Sequence, residues 1–284
     1  LELNEREQFW NGAFPTSFAY QMKQLGYQTI YWYGGNASYG NFNHFGKAQG
    51  FDRVESASIF CGPDAPKTWV GVYDHIFLEN MEQQIKALDT PTFHFIYTTS
   101  NHSPYKIEDS LLDYDPATVM PHVGEDLRSN KTRNKELATY RYSDKALFSF
   151  VDSMKKAYPD SLFIITGDHS NLFGSLNNTS LIHRDYTLRD TFCTVALLQH
   201  PDLDSNVIAT QKGTHMSLMP TIIEAIAPKG FEYYSITPSL FDDQPETLVT
   251  PYQWITDSLM GDIRSDYGES NQPSAEPVTQ IRPI

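Results

Sequence analysis

The sequence contains little cysteine. Only Cys61 and Cys193 occur among its 284 residues, which excludes a disulfide-rich scaffold and any metal site built from several thiolates. The two could form one bridge in an exported domain, but two buried free thiols are the simpler expectation.

Long apolar runs and positive charge are also scarce. No run approaches the ~18 apolar residues needed to span a bilayer, and no signal-peptide pattern opens the sequence. The chain carries 21 Lys and Arg against 35 Asp and Glu, a net charge of −14. This balance argues against a nucleic-acid backbone or an anionic membrane surface as the main partner. An anionic substrate would need positive charge from another source, such as a metal ion.

Strand-like apolar runs alternate with amphipathic helical segments along most of the chain. The pattern predicts helices over residues 15–26, 73–88, 137–154 and 218–226, and strands over residues 28–33, 92–98, 162–165 and 192–198. A polar, proline-bearing stretch over residues 106–134 predicts a long surface excursion. This alternation is typical of an α/β fold, here a three-layer sandwich in which helices flank a mostly parallel sheet.

The end of the chain differs in composition. Beyond residue 228 the periodicity is weak, and residues 265–284 are rich in Ser and Pro. We therefore expect one domain portion over residues 1–228 and a carboxyl-terminal extension over residues 229–284. The extension is expected to pack on the domain and to end in a partly disordered tail.

One segment combines an apolar strand with chemically active residues. Residues 162–170 read LFIITGDHS, an apolar run that ends in Gly167 and then presents the carboxylate of Asp168 beside the imidazole of His169. Functional groups of open α/β sheets gather just past the carboxyl ends of such buried parallel strands. Carboxylate oxygen and imidazole nitrogen suit divalent manganese, zinc or magnesium. Asp168 and His169 are therefore candidate metal ligands, and the alternative is an ordinary Asp-His turn.

Three further segments also place polar residues after apolar runs. They read YQTIYWYGGN over residues 27–36, closed by GFD over residues 50–52, FHFIYTTSNHSPY over residues 93–105, and GTHMSLMPTII over residues 213–223. Together with TGDHS at residues 166–170, they resemble the alkaline phosphatase/sulfatase superfamily, most closely its lipoteichoic acid synthase and phosphoglycerol transferase branch. The order and spacing match from about residue 14 to residue 226.

The resemblance implies a reaction type. In these families a metal ion polarises a phosphate or sulfate ester, while a hydroxyl nucleophile attacks and forms a covalent enzyme intermediate. Asp168 and His169 correspond to two of the family's metal ligands. The resemblance implies one divalent ion, manganese in the first place, with zinc, magnesium or calcium as alternatives.

Two parts of the family's site have no counterpart in this sequence. The remaining metal ligands, an acidic residue and the nucleophilic Thr or Ser itself, belong upstream of the point where the match begins. We therefore expect residues 1–228 to be a portion of the catalytic domain that lacks its first strand and its nucleophile, and the chain by itself to be inactive. The alternative is a natural pseudoenzyme.

Two histidines outside the metal pair are further candidates. His102, in TSNHSPY, matches the histidine that contacts the phosphoryl group in the lipoteichoic acid synthase branch, which implies a catalytic and substrate-binding role. The alternative is a histidine that caps the following loop. His215 precedes Met-Ser-Leu-Met-Pro-Thr, where alkaline phosphatases use a histidine for a second metal ion. It is a candidate for contact with substrate or a second ion, and the alternative is a hydrogen bond at a helix start. His94, inside a predicted strand, is expected to be a packed residue without a role.

The loop after the first predicted strand is a third candidate. Gly34 and Gly35 permit close approach of backbone amides to an anion, and a plain Gly-Gly turn is the alternative. Tyr33 stands where the lipoteichoic acid synthases carry a substrate-contacting histidine, and a tyrosine can donate to a phosphate without a full charge. The three residues are therefore predicted to bind substrate, whose headgroup can differ from glycerol phosphate. Charged clusters at residues 183–185 and 189–190 are candidates too, with exposed ion pairs as the alternative.

These features together favour one function. The resemblance implies metal-dependent transfer of a phosphoglycerol or similar phospho-headgroup from a lipid donor to a glycan or glycerol acceptor. It also implies an extracytoplasmic domain, periplasmic or cell-surface, whose membrane anchor belongs to a missing amino-terminal part. The enzymatic alternative is a sulfatase or phosphodiesterase that passes the intermediate to water. The alternative of another class is a non-catalytic pseudoenzyme that binds a headgroup or glycan.

Overall fold

A computed structural model describes residues 3–115, 125–170, 187–204, 212–264 and 268–270. The helices are α1 (Phe18–Gln24), α2 (Phe42–Ala48), α3 (Ala57–Phe60), α4 (Asp74–Lys86), α5 (Glu125–Arg128), α6 (Lys131–Ala157), α7 (Leu188–Phe192) and α8 (His215–Ile226). The strands are β1 (Gln28–Tyr33), β2 (Arg53–Ser56), β3 (Thr92–Tyr97), β4 (Phe163–Thr166), β5 (Ala196–Gln199), β6 (Leu248–Val249), β7 (Gln253–Ile255), β8 (Leu259–Asp262) and β9 (Gly268–Ser270). No helix within these ranges is long and apolar enough to cross a membrane.

A parallel sheet with strand order β2-β1-β3 forms the centre of the fold. Ile30 of β1 pairs with Arg53 of β2 and with His94 of β3. Helices α4 and α6 supply the core on one face of this sheet, and α2 packs against the other face. A parallel sheet flanked by helices confirms the predicted α/β class.

The side chains of β1 show why both faces are covered. Ile30 and Trp32 are fully buried in the core that α4 and α6 share, whereas Tyr31 and Tyr33 pack against Phe42 of α2. Successive side chains of a strand point to opposite faces, so a strand between two helical layers is apolar at every position. The aromatic and aliphatic run of β1 from Ile30 to Tyr33 shows this pattern.

Two antiparallel sheets accompany the parallel one. β4 pairs with β5, and β6 to β9 form a sheet in chain order. The sequence predicts a buried parallel strand over residues 162–165, but β4 is only half-buried and its partner β5 runs antiparallel to it. An apolar run predicts a strand, but it does not encode which strand pairs with it or in which direction. The strand predicted over residues 192–198 begins only at Ala196, since α7 occupies the chain as far as Phe192.

Side-chain caps set helix starts that the periodicity misses. α6 begins where Asn130 accepts a hydrogen bond from the amide of Arg133 (3.1 Å), so the end of the surface excursion predicted over residues 106–134 is helical. α8 begins earlier than the predicted residue 218, because Thr214 accepts from the amide of Met216 (3.2 Å). Polar caps therefore extend both helices beyond their apolar stripes.

The segment after residue 228 packs on the domain through polar contacts. Gln21 of α1 accepts from the amide of Tyr234 (2.8 Å) and donates to its carbonyl oxygen (3.1 Å). The amide of Leu240 donates to the hydroxyl of Thr221 in α8 (2.7 Å). The boundary at residue 228 stays a prediction, and residues 265–267 and 271–284 of the predicted tail lie outside the described residues.

The two cysteines do not pair. Cys61 and Cys193 are both free and half-buried, which confirms the expectation of two free thiols. Burial raises the pKa of the Cys61 thiol to about 11, so this thiol stays protonated and weakly reactive at neutral pH.

Backbone segments pack directly on one another at the carboxyl ends of β1 and β3. The amide of Gly34 donates to the carbonyl oxygen of Tyr97 (2.8 Å). A Cβ atom on Gly35 would lie 2.5 Å from the carbonyl oxygen of Val70, and a Cβ atom on Gly71 would overlap the carbonyl oxygen of Gly34. Packing therefore requires glycine at positions 35 and 71.

We expect Gly71→Ala to lower the free energy of unfolding by about 2 kcal/mol, because the added methyl group meets a backbone oxygen. Gly34→Ala serves as the control, because the space around this position is less restricted. Its Cβ atom would lie 3.1 Å from the hydroxyl of Thr99, a side chain that can shift, so this substitution should cost less. Urea-induced unfolding measures both values. Equal losses at the two positions would contradict the packing explanation.

His94 of β3 is a packed histidine, as expected. Its Nδ1 accepts a hydrogen bond from the indole of Trp32 (3.0 Å). Loss of hydration, and secondarily the charge of Arg53, lowers the pKa of His94 to about 4. The imidazole is therefore neutral in the folded protein at pH 5, where an ordinary histidine in an unfolded chain is mostly protonated.

The free energy of unfolding should fall as the pH decreases from about 6.5 to 4, because the unfolded state binds a proton that the folded state excludes. Between pH 7 and pH 5 this group should account for a loss of about 1–2 kcal/mol. His94→Gln keeps an acceptor for Trp32 but cannot bind the proton. Between pH 7 and pH 5, the free energy of unfolding of this variant should therefore fall by about 1–2 kcal/mol less than that of the wild type. Urea unfolding of both proteins at the two pH values measures the difference. Identical pH dependences would show that folding leaves the protonation of His94 unchanged.

Candidate functional site

The last residue of β3 contacts the segment that follows β4. Tyr97 donates its hydroxyl to Asp168 Oδ2 (3.2 Å), so the carboxyl ends of β3 and β4 lie at one edge of the fold. The loop after β1 lies at the same edge, since the carbonyl oxygen of Tyr97 accepts from the amide of Gly34 (2.8 Å). Three segments that the sequence motifs identify separately thus come together.

Asp168 and His169 present their potential ligand atoms to the same space. Oδ1 of Asp168 accepts from the amide of His169 (3.0 Å), and Oδ2 lies 3.5 Å from His169 Nε2. His169 Nδ1 lies 2.7 Å from the carbonyl oxygen of Ser170, which only accepts, so Nδ1 carries the proton. In the neutral imidazole, Nε2 then offers its lone pair beside the carboxylate. More than half of each side chain is exposed, which leaves access for an ion.

This geometry fits two ligands of one divalent ion. Carboxylate oxygen and imidazole nitrogen each bind such ions at about 2.0–2.2 Å, which places the two ligand atoms ~3 Å apart. The observed 3.5 Å separation needs only a small adjustment. Among the described residues, no group of three or more His, Cys, Asp or Glu side chains gathers to hold a metal ion. The pair therefore fits part of a ligand set, and further donors are needed to complete it.

His215, the first residue of α8, holds the turn that carries Asp168. Its Nε2 lies 2.7 Å from the carbonyl oxygen of Gly167, so Nε2 carries the proton and donates to that carbonyl. Thr214 caps the helix, which leaves the imidazole for this contact with the strand end. His215 therefore lies beside the candidate metal pair, and its contact with substrate or a second ion stays a prediction.

The segment after His169 is also tied to α7. Ser170 donates its hydroxyl to the carbonyl oxygen of Asp190. The carboxylate of Asp190 caps α7 by accepting from the amide of Thr187 (2.9 Å). In the candidate cluster at residues 189–190, Asp190 therefore caps a helix and binds Ser170. Residues 183–185 lie outside the described residues.

His102 lies on the loop that leaves β3. Its Nδ1 is 2.7 Å from the carbonyl oxygen of Ser103, so Nδ1 carries the proton and Nε2 remains for other partners. The indole of Trp69 donates to the same carbonyl (3.1 Å), and its ring meets the imidazole edge to face at 5.3 Å. These contacts orient both exposed rings, and the role predicted for His102 stays a prediction.

Tyr33 is only 4% exposed. Its ring packs against Phe42 (5.1 Å) and Tyr97 (5.7 Å), and burial raises the pKa of its hydroxyl, which therefore stays protonated. The amide of Gly34 is bonded to Tyr97, and Gly35 lies in close backbone packing. The geometry explains all three residues by packing, while their substrate contacts stay predictions.

Sequence reasoning assigned no role to Tyr97 or Trp69, although both contact candidate site segments. Their partners are far away along the chain: Tyr97 contacts a residue 71 positions later, and Trp69 one 34 positions later. No local pattern marks an aromatic residue whose importance depends on so distant a partner.

Comparison with known proteins identifies the family. The sulfatase family model matches residues 9–227. Lipoteichoic acid synthase 1 of Bacillus subtilis (strain 168) is 23% identical over 255 residues, which cover 84% of this chain and 38% of that protein. The lipoteichoic acid synthase-like protein YvgJ of the same organism is 27% identical over 152 residues, which cover 52% of this chain and 23% of that protein. The chain thus spans well under half the length of these relatives.

Solved structures share the architecture. The lipoteichoic acid synthase LtaP from Listeria monocytogenes has a TM-score of 0.75 at 18% identity, with 90% of this chain and 64% of that chain covered. The C-terminal periplasmic domain of EcEptC from Escherichia coli has a TM-score of 0.62 at 16% identity, with 92% of this chain and 78% of that chain covered. The family model covers well over half of the sequence and the fold agrees with it, so the chain belongs to the sulfatase family, as its motifs predicted.

Proposed function

We propose that this chain is the portion of a phosphoglycerol transferase, or of a transferase for a similar phospho-headgroup, that supplies half of the metal site. The transfer would run from a lipid donor to a glycan or glycerol acceptor through a covalent enzyme intermediate. The observation that carries the proposal is the Asp168–His169 pair at the shared edge of β3 and β4, in a chain of the sulfatase family. The names of its relatives, lipoteichoic acid synthases, support the class of substrate.

Asp168 Oδ2 and His169 Nε2 would hold the divalent ion, manganese in the first place, with zinc, magnesium or calcium as alternatives. When bound, such an ion would polarise a phosphoryl oxygen, and its positive charge would stabilise a deprotonated hydroxyl close to the anionic phosphate oxygens. The chain's own residues prepare the site: the carbonyl of Ser170 selects the tautomer of His169, and the hydroxyl of Tyr97 orients the carboxylate of Asp168. The nucleophilic Thr or Ser and an acidic ligand would come from a preceding segment.

His102 would act on the phosphoryl group. With Nδ1 committed to the carbonyl of Ser103, the protonated imidazole presents Nε2–H as its only free donor. That donor can stabilise a developing phosphoryl anion or protonate a leaving alkoxide. The indole of Trp69 limits rotation of the ring, which preserves this orientation.

The proposed location is an extracytoplasmic domain of a membrane-anchored protein. The structural relative EcEptC was solved as a periplasmic domain, which supports the same side of the membrane for this chain. A lipid headgroup and a surface glycan would both be accessible there. The anchor would belong to a part of the protein that precedes this chain.

We expect the 284-residue chain to bind manganese or zinc weakly or not at all, because Asp168 and His169 supply only two ligands. Asp168→Ala should leave the thermal unfolding midpoint nearly unchanged, since this side chain is more than half exposed. Calorimetric titration measures the affinity. A tight one-to-one complex would contradict the two-ligand assignment and would show that other residues, such as His215, complete the set.

Activity separates the proposal from its alternatives. A longer chain that adds the acidic ligand and the hydroxyl nucleophile should transfer the headgroup of a fluorescent glycerophospholipid to a glycerol or sugar acceptor, whereas the 284-residue chain should not. In the longer chain, His169→Ala should abolish transfer through loss of the metal, and His102→Ala should slow it by roughly 10²–10⁴ with metal affinity preserved. Thin-layer separation of the fluorescent products measures the rates.

Several outcomes of the same assay would contradict the proposal. Release of the headgroup to water, with none on the acceptor, would instead indicate a sulfatase-like hydrolase or phosphodiesterase. A longer chain that binds the lipid without turnover would indicate a pseudoenzyme. Metal-dependent turnover by the 284-residue chain at a similar rate would show that the nucleophile lies among its own residues.

A further inference from the structure

The loop over residues 99–105, here called the His102 loop, is fixed by side chains that are themselves buried. It leaves β3 at Tyr97 and carries His102 at the edge where Asp168 lies. His102 is exposed, yet Thr99 and Ser100 at the start of the loop are buried. The position of His102 therefore depends on what holds those first two residues.

Asp74, the first residue of α4, holds them. Its Oδ1 accepts from the amide of Thr99 (3.1 Å) and from the amide of Ser100 (3.1 Å). In return, the amide of Asp74 donates to the hydroxyl of Ser100 (2.9 Å). Three hydrogen bonds thus join the start of a helix to the start of the His102 loop.

Burying the carboxyl group of Asp74 costs folding free energy. The residue is 1% exposed, and burial raises the pKa of its carboxyl although the two amides act to lower it. Its Oδ2 has no hydrogen bond of normal geometry among the described residues, although the hydroxyl of Ser143 acts on the same carboxyl group. A buried carboxylate with an unsatisfied oxygen destabilises a fold. Its Oδ1 compensates by accepting hydrogen bonds from two consecutive backbone amides, those of Thr99 and Ser100.

Backbone bonds pass this anchoring on to His102. The amide of His102 donates to the carbonyl oxygen of Thr99 (3.2 Å), and the amide of Tyr105 donates to the carbonyl oxygen of His102 (3.2 Å). Two successive turns, from Thr99 to His102 and from His102 to Tyr105, therefore follow the residue whose amide Asp74 binds. A shift at Thr99 moves the backbone of His102 directly.

The far end of the loop is tied to a second buried acid. The hydroxyl of Tyr105 lies 3.5 Å from that of Tyr140, which donates to Oε1 of Glu136 (3.0 Å). Glu136 is 3% exposed and forms an ion pair with Arg133 of the same helix. The Glu136 contact reaches the loop through the side chains of two tyrosines, whereas Asp74 bonds directly to the loop's backbone amides. Asp74 is therefore the more direct determinant of the loop's position.

We propose that Asp74 is the positioning residue of His102: its carboxylate fixes Thr99 and Ser100, and thereby sets where the imidazole lies relative to Asp168. The catalytic consequence rests on the function proposed above for His102, whereas the positioning itself does not. Trp69 makes the position measurable, because its indole N–H is bonded to the carbonyl of Ser103 within the loop.

The test follows the four indole N–H signals of Trp10, Trp32, Trp69 and Trp254 in ¹H–¹⁵N NMR spectra of the 284-residue chain. Asp74→Ala should shift the signal of Trp69 and leave that of Trp32, which is bonded to His94, in place. Asp74→Asn keeps an oxygen for both amides and should restore the wild-type position of the Trp69 signal. Gln21→Ala is the matched control, since Gln21 is equally buried and its polar contacts lie outside the loop.

Three results would overturn the positioning role: an unmoved Trp69 signal in Asp74→Ala, an equal shift in Gln21→Ala, or no recovery in Asp74→Asn. If Asp74→Ala does not fold, Asp74→Ser replaces it, because a serine is too short to reach both amides and should shift the Trp69 signal in the same way. In an active longer chain, Asp74→Ala should slow transfer about 10- to 100-fold, as expected for a misplaced catalytic group. It should add little further loss in a chain that already carries His102→Ala. A shifted Trp69 signal with undiminished transfer would leave the positioning intact and overturn the function proposed for His102.

Discussion

Backbone-to-backbone packing at the carboxyl edge of the parallel sheet is the constraint on which the candidate site depends. The loop after β1, the segment before α4 and the start of the loop after β3 meet there, and glycines at positions 35 and 71 leave no space for side chains. Because the backbone is the least adjustable part of a protein, this edge holds the three segments at fixed separations. Asp168 joins it through the hydroxyl of Tyr97. The chemically active groups are thus placed by a rigid frame.

The histidines at this edge share one arrangement. Each imidazole has a nitrogen within hydrogen-bonding distance of a carbonyl oxygen, in the pairs His102 with Ser103, His169 with Ser170 and His215 with Gly167. A carbonyl only accepts, so the bonded nitrogen carries a proton. The other nitrogen then offers a lone pair to a metal ion when the ring is neutral, or an N–H to a phosphoryl oxygen when the ring is protonated. A carbonyl also does not titrate, so each ring keeps its orientation whether or not it is protonated. The backbone therefore selects the tautomers that the proposed chemistry requires.

The acidic balance of the chain makes the metal pair the natural place for an anionic substrate. With a net charge of −14, this 284-residue chain repels phosphate esters, and attraction has to be local. Asp168 and His169 are more than half exposed and are the proposed metal ligands, while Asp74 is buried and accepts from two backbone amides. This contrast separates two uses of carboxylates in one molecule. Asp168 is exposed and suits a positively charged ion, whereas Asp74 is buried and accepts hydrogen bonds from backbone amides.

The sequence by itself determined the α/β class, the strands that end at the site and the family, and it identified Asp168 and His169 as candidate metal ligands. Each of these depends on contiguous residues: an apolar run predicts a buried strand, and TGDHS places two ligand types after it. The tertiary structure alone decided the antiparallel pairing of β4 with β5, the starts of α6 and α8, and the contacts of Tyr97, Trp69 and Asp74. The glycines after Tyr33, predicted to approach an anion, proved to be explained by packing against a segment that lies far away in sequence. Strand direction and long-range hydrogen bonds depend on which distant segments meet, and no local pattern of side chains encodes that meeting.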